Sequence, residues 1–188
     1  SLENRFFTSA DLKTPGLKAE YFNNKSLSGA PAMSRVESTI SHNWRKASPK
    51  KGVVNSDKFS IRWSGVFKSP HDEELEFTLG GDDGYRMFID DVEVMGNWAN
   101  HAMNYKKYLF KAKANRKYNI RIEYFDNSSD ARIEFALYNK SYVQNNAKAL
   151  RSADAVIACV GFDSNTEREN RDRTFEMPYN QGELIREI

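Results

Sequence analysis

The segment Leu75-Glu76-Phe77-Thr78-Leu79-Gly80-Gly81-Asp82-Asp83-Gly84 decides the fold class of this chain. Its first half alternates apolar and polar residues, and successive side chains on a β-strand point to opposite faces of a sheet. Its second half is rich in glycine and aspartate, which favour tight turns. The segment therefore predicts a half-buried strand that ends in a turn.

The same two-residue period recurs on both sides of this segment. It is present in residues 17–21, 59–63, 118–124 and 133–137, and further turn signals lie at 90–91 and 126–130. Several short alternating strands separated by turns are typical of an antiparallel β-sandwich or barrel. Trp63 is in phase with Phe59 and Ile61, so we predict that it belongs to the core. Residues 23–57 are polar and poorly periodic, which predicts long loops with at most one short strand.

The pattern changes after residue 141. Residues 142–153 have helical composition, 155–160 form an uninterrupted apolar run, and 178–188 are again helical. An apolar run rich in β-branched residues is typical of a strand buried on both faces, as in parallel α/β sheets. A single helix-strand-helix unit cannot bury such a strand. The tail is therefore interpreted as a short α/β fragment of an incomplete domain.

These patterns divide the chain into three parts. We predict an N-terminal lead-in over residues 1–15, a mainly β domain over 16–140, and a linker helix with the α/β fragment over 141–188. The sequence starts at Ser1 without a methionine and stops at Ile188 within a predicted helix. We expect it to be an excerpt of a longer protein.

Composition excludes several classes of partner. The 28 basic and 26 acidic residues nearly cancel and are spread along the chain, so no nucleic-acid partner is predicted. No apolar run approaches the roughly 20 residues of a membrane helix, so no membrane partner is predicted. The single cysteine, Cys159, excludes an internal disulfide. Its apolar neighbours predict a buried thiol.

Most of the chain resembles PA14 domains, in the order in which that family carries its strands. The segments that carry the resemblance are Gly16–Phe22, Ile61–Gly65, Phe77–Asp90, Asn97–Trp98, Tyr118–Phe125 and Ile133–Leu137. The resemblance implies a β-sandwich or barrel of the kind found in glycosidases, yeast adhesins and bacterial toxins. It favours contact with carbohydrate, although a fold alone does not fix a function.

The tail resembles the start of the C-terminal α/β domain of family 3 glycoside hydrolases. The resemblance rests on residues 155–161, on the charged stretch Glu167–Arg173 and on Met177–Ile185. Asn170 stands where that family usually has glycine. Some members carry a PA14 domain ahead of this strand. The order implies an accessory module that limits which sugars enter the pocket of a β-glucosidase-like enzyme.

That resemblance also implies partners and a catalytic residue. The expected partners are an oligosaccharide or β-glucoside substrate and the catalytic barrel and α/β domain of the parent, with a periplasmic or extracellular location. Retaining glycosidases use two carboxyls about 5 Å apart. The acid/base carboxyl corresponds to Glu169, with Glu167 as the alternative, whereas the nucleophile would lie on a barrel that this sequence lacks. We therefore expect no complete enzyme. A charged, solvated loop is the competing interpretation of these residues.

Asp82 and Asp83 form the second candidate site. In PA14 lectins of yeast adhesins an adjacent aspartate pair at this position binds calcium, which then ligates sugar hydroxyls. Calcium takes six to eight oxygen ligands, so further ligands would have to come from Asp126, Asn127 or Asp130. The competing and favoured interpretation is a turn whose aspartates accept hydrogen bonds from nearby backbone N–H groups. No cofactor is therefore predicted to be required.

Two tryptophans complete the set of candidate carbohydrate-binding residues. Trp44 and Trp98 lie in polar surroundings, where an indole could stack on a sugar ring; in the PA14 family Trp98 more often packs in the core. The loops 23–57 and 94–105 are the predicted substrate-facing edge. Two alternatives to the accessory role remain, namely an autonomous calcium-dependent lectin and a structural spacer without sugar contact.

Overall fold

The computed structural model describes residues 5–161 and 181–187 and is mainly β. The strands are β1 Phe6–Phe7, β2 Leu17–Phe22, β3 Met33–Glu37, β4 Ser41–Arg45, β5 Ser60–Lys68, β6 Glu73–Asp82, β7 Tyr85–Ile89, β8 Val92–Asn97, β9 Asn104–Ala112, β10 Lys117–Phe125 and β11 Ala131–Asn139. The helices are α1 Tyr142–Asn145, α2 Ala147–Ser152 and α3 Gln181–Glu187.

The strands form two antiparallel sheets. A seven-stranded sheet has the order β3-β2-β5-β10-β7-β8, with β1 pairing to β5, and a four-stranded sheet has the order β4-β11-β6-β9. Each alternating strand turns its apolar residues toward the other sheet, as Leu75, Phe77 and Leu79 do on β6, where all are fully buried. The predicted fold class, a mainly β antiparallel sandwich, is confirmed.

Aromatic side chains dominate the core between the sheets. Trp63 is fully buried, as predicted, together with Tyr21 and Tyr124. Phe67 belongs to a cluster of aromatic rings, in which its ring centroid lies 5.1 Å from that of Phe6. Burying an apolar side chain of this size contributes about 1.5–3 kcal/mol. The core therefore provides a rigid support for the loops at the ends of the sandwich.

The region predicted to be mostly loop is more regular than expected. Residues 23–57 contain two strands, β3 in one sheet and β4 in the other. Their sequences, Met-Ser-Arg-Val-Glu and Ser-His-Asn-Trp-Arg, have too few apolar residues to show a clear period. Both are outer strands of their sheets, so each is held by backbone pairing with one neighbour. The expectation of at most one short strand was wrong.

The tail differs from the sequence-based expectation in two respects. Residues 155–161 contain no strand and are exposed, with 86% of Ile157 accessible, because no strand in the described part of the chain pairs with them. Cys159 is likewise exposed, so the prediction of a buried thiol was wrong. The helical prediction over 142–153 corresponds to α1 and α2, which are separated at Asn146. Within the described residues, no helix combines the length and hydrophobicity that crossing a bilayer requires.

Candidate functional site

Asp82 and Asp83 lie where the chain passes from the four-stranded sheet to the seven-stranded sheet. Asp82 is the last residue of β6, and Asp83 precedes β7. The peptide bond between them is cis. The two side chains have different surroundings, since Asp83 is only 6% exposed whereas Asp82 borders an open pocket.

The carboxylate of Asp83 joins two loops that are far apart in sequence. Its Oδ1 accepts a hydrogen bond from the backbone N–H of His101 at 3.1 Å, and its Oδ2 accepts one from the N–H of Asn127 at 2.8 Å. The interpretation of Asp83 as an acceptor of backbone N–H groups therefore matches the structure, although the donors belong to other loops and not to its own turn.

The loop between β8 and β9 is held in place by a short series of polar contacts between side chains and the backbone. The Tyr85 hydroxyl donates to Asn104 Oδ1 at 2.7 Å, and Asn104 Nδ2 lies 2.7 Å from His101 Nδ1. His101 Nε2 lies 3.1 Å from the backbone oxygen of Asn97. Residue 101 is thereby fixed at the point where its N–H meets Asp83. This loop, 98–103, is shorter than the predicted loop 94–105 because β8 and β9 extend into that range.

Asp126 adds a third, fully buried carboxyl beside Asp83. Neither of its carboxylate oxygens accepts a hydrogen bond from any residue that the structure describes. Burial and the negative charges of Asp83 and Asp57 raise the pKa of Asp126 to about 7, and the approaching Lys58 N–H offsets this only in part. A buried carboxylate without a partner is costly, so this position favours a proton or a cation.

Asp82 faces a pocket of about 540 Å³ on the outer side of the four-stranded sheet. The pocket is lined by Asn43, Arg45, Lys46, Asp82, Met103, Asp130 and Arg132. Burial and the charges of Asp83 and Asp130 raise the pKa of Asp82. The pocket thus presents carboxylate, amide and cationic groups around one opening, which is the mixture of donors and acceptors that hydroxyl-rich ligands require.

The residues present fit a divalent cation in part. The structure brings Asp82 and Asp83 together with Asp126, Asn127 and Asp130, which the sequence had only suggested as further ligands. Among the described residues, however, no three His, Cys, Asp or Glu side chains stand in a metal-ligating arrangement. Acidic side chains would therefore supply only some of the oxygens that calcium takes.

The two candidate tryptophans lie in different environments. Trp44 is on β4 and not in a loop, and its partly buried ring stacks on His42 with centroids 4.7 Å apart and packs against the core. Trp98 is 36% exposed, with the Arg86 guanidinium 4.1 Å from its ring centroid and Phe125 against its edge. Sugar stacking by either ring stays a prediction. Glu167 and Glu169 lie outside the described residues.

Sequence reasoning missed several residues of this site. Asp57 contributes charge to Asp126 and accepts a hydrogen bond from the Ser129 N–H, and Arg45, Lys46 and Arg132 line the pocket. Single charged residues in polar segments carry no local signal of a site. Only the turn compositions at 80–84 and 126–130 pointed to this part of the molecule.

Comparison with known proteins supports the sequence resemblance. The family model described as PA14 domain matches residues 13–149. The anti-sigma-I factor RsgI3 of Acetivibrio thermocellus is 27% identical over 126 residues, which is 67% of this chain and 19% of that protein. The chain thus spans about a fifth of that relative's length.

Two solved structures show the same fold in other settings. The β-glucosidase of Kluyveromyces marxianus, in complex with glucose, superposes with a TM-score of 0.67 at 16% identity over 99% of this chain and 24% of that chain. The PA14 sugar-binding domain of an RTX adhesin superposes with a TM-score of 0.58 at 15% identity, over 67% of this chain and 90% of that one. At these identities the likeness establishes the fold alone. The sandwich therefore occurs in a regulatory factor, an enzyme and an adhesin.

Proposed function

The chain belongs to the PA14 domain family, and from this premise we propose that it binds carbohydrate at the pocket beside Asp82. The observation that carries the proposal is that Asp82 lines this open polar pocket and also interacts electrostatically with the buried carboxyls of Asp83 and Asp126. Sugar hydroxyls both donate and accept hydrogen bonds, so they suit a pocket that offers Asp130, Asn43 and Arg132 together.

A calcium ion is part of this proposal. Asp82 and Asp83 would hold it, with Asp126 supplying further negative charge, and the remaining oxygens would come from backbone carbonyls, water and the sugar. The raised pKa values of Asp82 and Asp126 support this, because a cation would compensate the buried charge and the mutual repulsion that raise them. When bound, the ion would offer open coordination positions to a pair of sugar hydroxyls.

The proposed biological role is that of an accessory module in a family 3 glycoside hydrolase that resembles β-glucosidases. The match to the Kluyveromyces enzyme extends over nearly the whole chain, including the tail. The module would shape access of oligosaccharides or β-glucosides to a pocket built by the parent's barrel and α/β domain. Glu169, or alternatively Glu167, would be the acid/base of that parent.

An autonomous calcium-dependent lectin is the second candidate. It is favoured by the acidic group around Asp83, which lies within the sandwich and requires nothing from the tail. The two roles differ in one measurable respect. A lectin binds sugar tightly by itself, whereas an accessory module binds it weakly through its own pocket and more tightly once the parent's pocket is present.

Isothermal titration calorimetry tests the proposal. We expect the isolated chain to bind calcium, and then glucose or cellobiose at saturating calcium. Asp82→Asn should weaken both steps about tenfold or more, because it removes one charge from the proposed ligand set. Asp91→Asn is the matched control, since Asp91 is 88% exposed in the β7–β8 turn, away from the pocket. If the chain binds calcium but none of the sugars, the result would support a metal site and contradict the proposed binding of carbohydrate.

The catalytic assignment requires the full-length parent. Glu169→Gln should lower hydrolysis by several orders of magnitude while leaving glucose binding intact, because an acid/base that cannot transfer protons still contacts substrate. Glu167→Gln in the same background is the comparison. Unchanged hydrolysis by Glu169→Gln with loss in Glu167→Gln would exchange the two assignments.

A further inference from the structure

The outer face of the four-stranded sheet carries a built aromatic platform next to the pocket. Tyr105 on β9, Gly80 on β6 and Glu134 on β11 lie abreast on three neighbouring strands. Side chains in such a row share one face of the sheet. Since Gly80 has no side chain, the Tyr105 ring can extend across it toward Glu134.

Gly80 and Glu134 together fix the ring. Gly80 is on the outward side of β6 yet buried, because the ring covers it, and a Cβ at this position would lie 2.3 Å from Tyr105 Cδ1. The Tyr105 hydroxyl donates to Glu134 Oε2 at 2.7 Å, and Glu134 Oε1 accepts from Arg132 Nε at 3.0 Å. The ring therefore rests on the sheet while Tyr105 remains 49% exposed.

The platform and the pocket are consecutive rows of the same face. Asp82, Arg132 and Asn43 are the three residues abreast in the next row, two positions along each strand, and all three line the pocket. Two residues of a strand span about 7 Å. That separation is comparable with the length of one pyranose unit. Arg132 belongs to both parts, since it lines the pocket and holds Glu134.

Leu109 shows that exposure alone does not make this platform. It lies on the same strand and the same face as Tyr105 and is 48% exposed, almost the same fraction. Opposite it on β6 is Glu76 and not a glycine, so nothing provides a comparable flat seat. Exposed apolar residues on a strand are ordinary, whereas a ring fixed on a glycine beside a polar pocket is a specific arrangement.

We propose that Tyr105 is a stacking subsite for a sugar ring, so that the ligand is a β-linked gluco-oligosaccharide that extends from the pocket across Tyr105. This inference rests on the proposed function of the pocket. The substituents of a β-linked glucosyl unit are equatorial, which leaves flat C–H faces that pack on an aromatic ring. Arg132 and Glu134, beside the ring, are placed to hydrogen-bond the hydroxyls at the edge of the same unit.

The test is a titration of chain length. The wild-type chain, Tyr105→Ala and Leu109→Ala are titrated by calorimetry with glucose, cellobiose, cellotriose and cellotetraose at saturating calcium. In the wild type and in Leu109→Ala we expect affinity to rise about tenfold from glucose to cellotriose. In Tyr105→Ala we expect the glucose affinity to be unchanged and this rise to be lost. Tyr105→Phe keeps the ring and should retain most of the rise.

The outcomes separate the subsite from the pocket. A rise with chain length that Tyr105→Ala retains would overturn the subsite and leave the pocket proposal standing. Equal affinity of the wild type for glucose and cellotetraose would do the same. Loss of glucose binding in Asp82→Asn, with the gain from longer chains lost only in Tyr105→Ala, would support both. Failure of all four sugars to bind the wild type would overturn both.

Discussion

Two buried carboxyl groups in this molecule are in opposite electrostatic situations. Glu37, at the end of β3, accepts hydrogen bonds from Tyr21 Oη at 2.5 Å and Trp63 Nε1 at 2.7 Å. Arg35 Nε donates at 2.6 Å, and His42 Nε2 lies 3.0 Å away. Burial alone would raise the pKa of Glu37, but the hydrogen bonds outweigh it and lower the pKa to about 2.

Asp126 has little of this compensation, since only the Lys58 N–H lowers its pKa and does so in part. It is fully buried beside Asp83, its carboxylate oxygens have no hydrogen-bond partner in the described part of the chain, and its pKa is raised to about 7. Hydrogen bonds therefore offset the free-energy cost of burying a charged carboxylate at Glu37, whereas at Asp126 most of this cost remains.

The difference separates a structural group from the acidic site that we propose to be functional. The Glu37 group includes residues of both sheets, since Tyr21 and Trp63 belong to the seven-stranded sheet and His42 to the four-stranded sheet. It therefore fastens the sandwich. The loops around Asp126 hold like charges together instead, and groups with perturbed pKa values of this kind are typical of sites that bind a ligand.

The largest expected effect comes from breaking the Glu37 group. Glu37→Gln should lower the free energy of unfolding by about 2–3 kcal/mol at pH 7, because charged hydrogen bonds to buried donors are lost. A carboxyl whose folded-state pKa is lowered stabilises the fold above its unfolded value of about 4.5 and loses that contribution as the pH falls toward 2. The wild type and variant should converge at low pH.

Urea unfolding followed by tryptophan fluorescence at pH 7 and pH 3 measures this difference. Glu134→Gln is a control, since Glu134 is a partly buried carboxyl on the outer face with its own arginine partner. An equal loss of stability at both pH values would show that the carboxylate charge of Glu37 does not contribute.

A smaller effect of opposite sign is expected at Asp126. A carboxyl whose folded-state pKa is raised destabilises the fold as the pH rises from about 4 to about 7, and the full cost remains above that. Asp126→Asn should therefore raise the free energy of unfolding by about 1–2 kcal/mol at pH 8 without calcium, and by little at pH 4.

Thermal unfolding with chelator and with calcium measures this effect, with Asp91→Asn as the control. Calcium should stabilise the wild type more than Asp126→Asn, because a bound cation compensates the charge that the variant lacks. Destabilisation by Asp126→Asn at pH 8 without calcium would contradict this prediction, because it would show that the ionised carboxylate of Asp126 stabilises the fold.

The smallest effect is expected at an exposed ion pair. Lys107 Nζ lies 2.7 Å from Glu76 Oε1 on the outer face of the four-stranded sheet, and 57% of the lysine side chain is exposed. Lys107→Ala should change the free energy of unfolding by less than about 1 kcal/mol, and less still in high salt. Urea unfolding measures this change. A loss of unfolding free energy as large as that of Glu37→Gln would show that the exposed ion pair stabilises the fold as much as the buried Glu37 carboxylate does.

The strands that were predicted from the sequence share one property. In β6, β10 and β11 the apolar residues alternate through most of the segment, so each strand carries the signal of its own buried face. The strands β3 and β4 were missed because they are short and polar, and β9 because three of its residues are lysines. Residues 155–160 carry a strong strand signal but form no strand, since an apolar run forms a strand only where a partner strand exists.

By itself the sequence determined the sandwich, its core residue Trp63 and the turn that contains Asp82 and Asp83, because these depend on local periodicity and on the conformations that glycine and aspartate allow. Only the tertiary structure decided that Asp57 and Asp83 both approach Asp126, and that Tyr105 rests on Gly80 beside Glu134. Those contacts arise from pairing between strands distant in the chain. Strand register is fixed by the packing of the whole sheet, and no single segment encodes it.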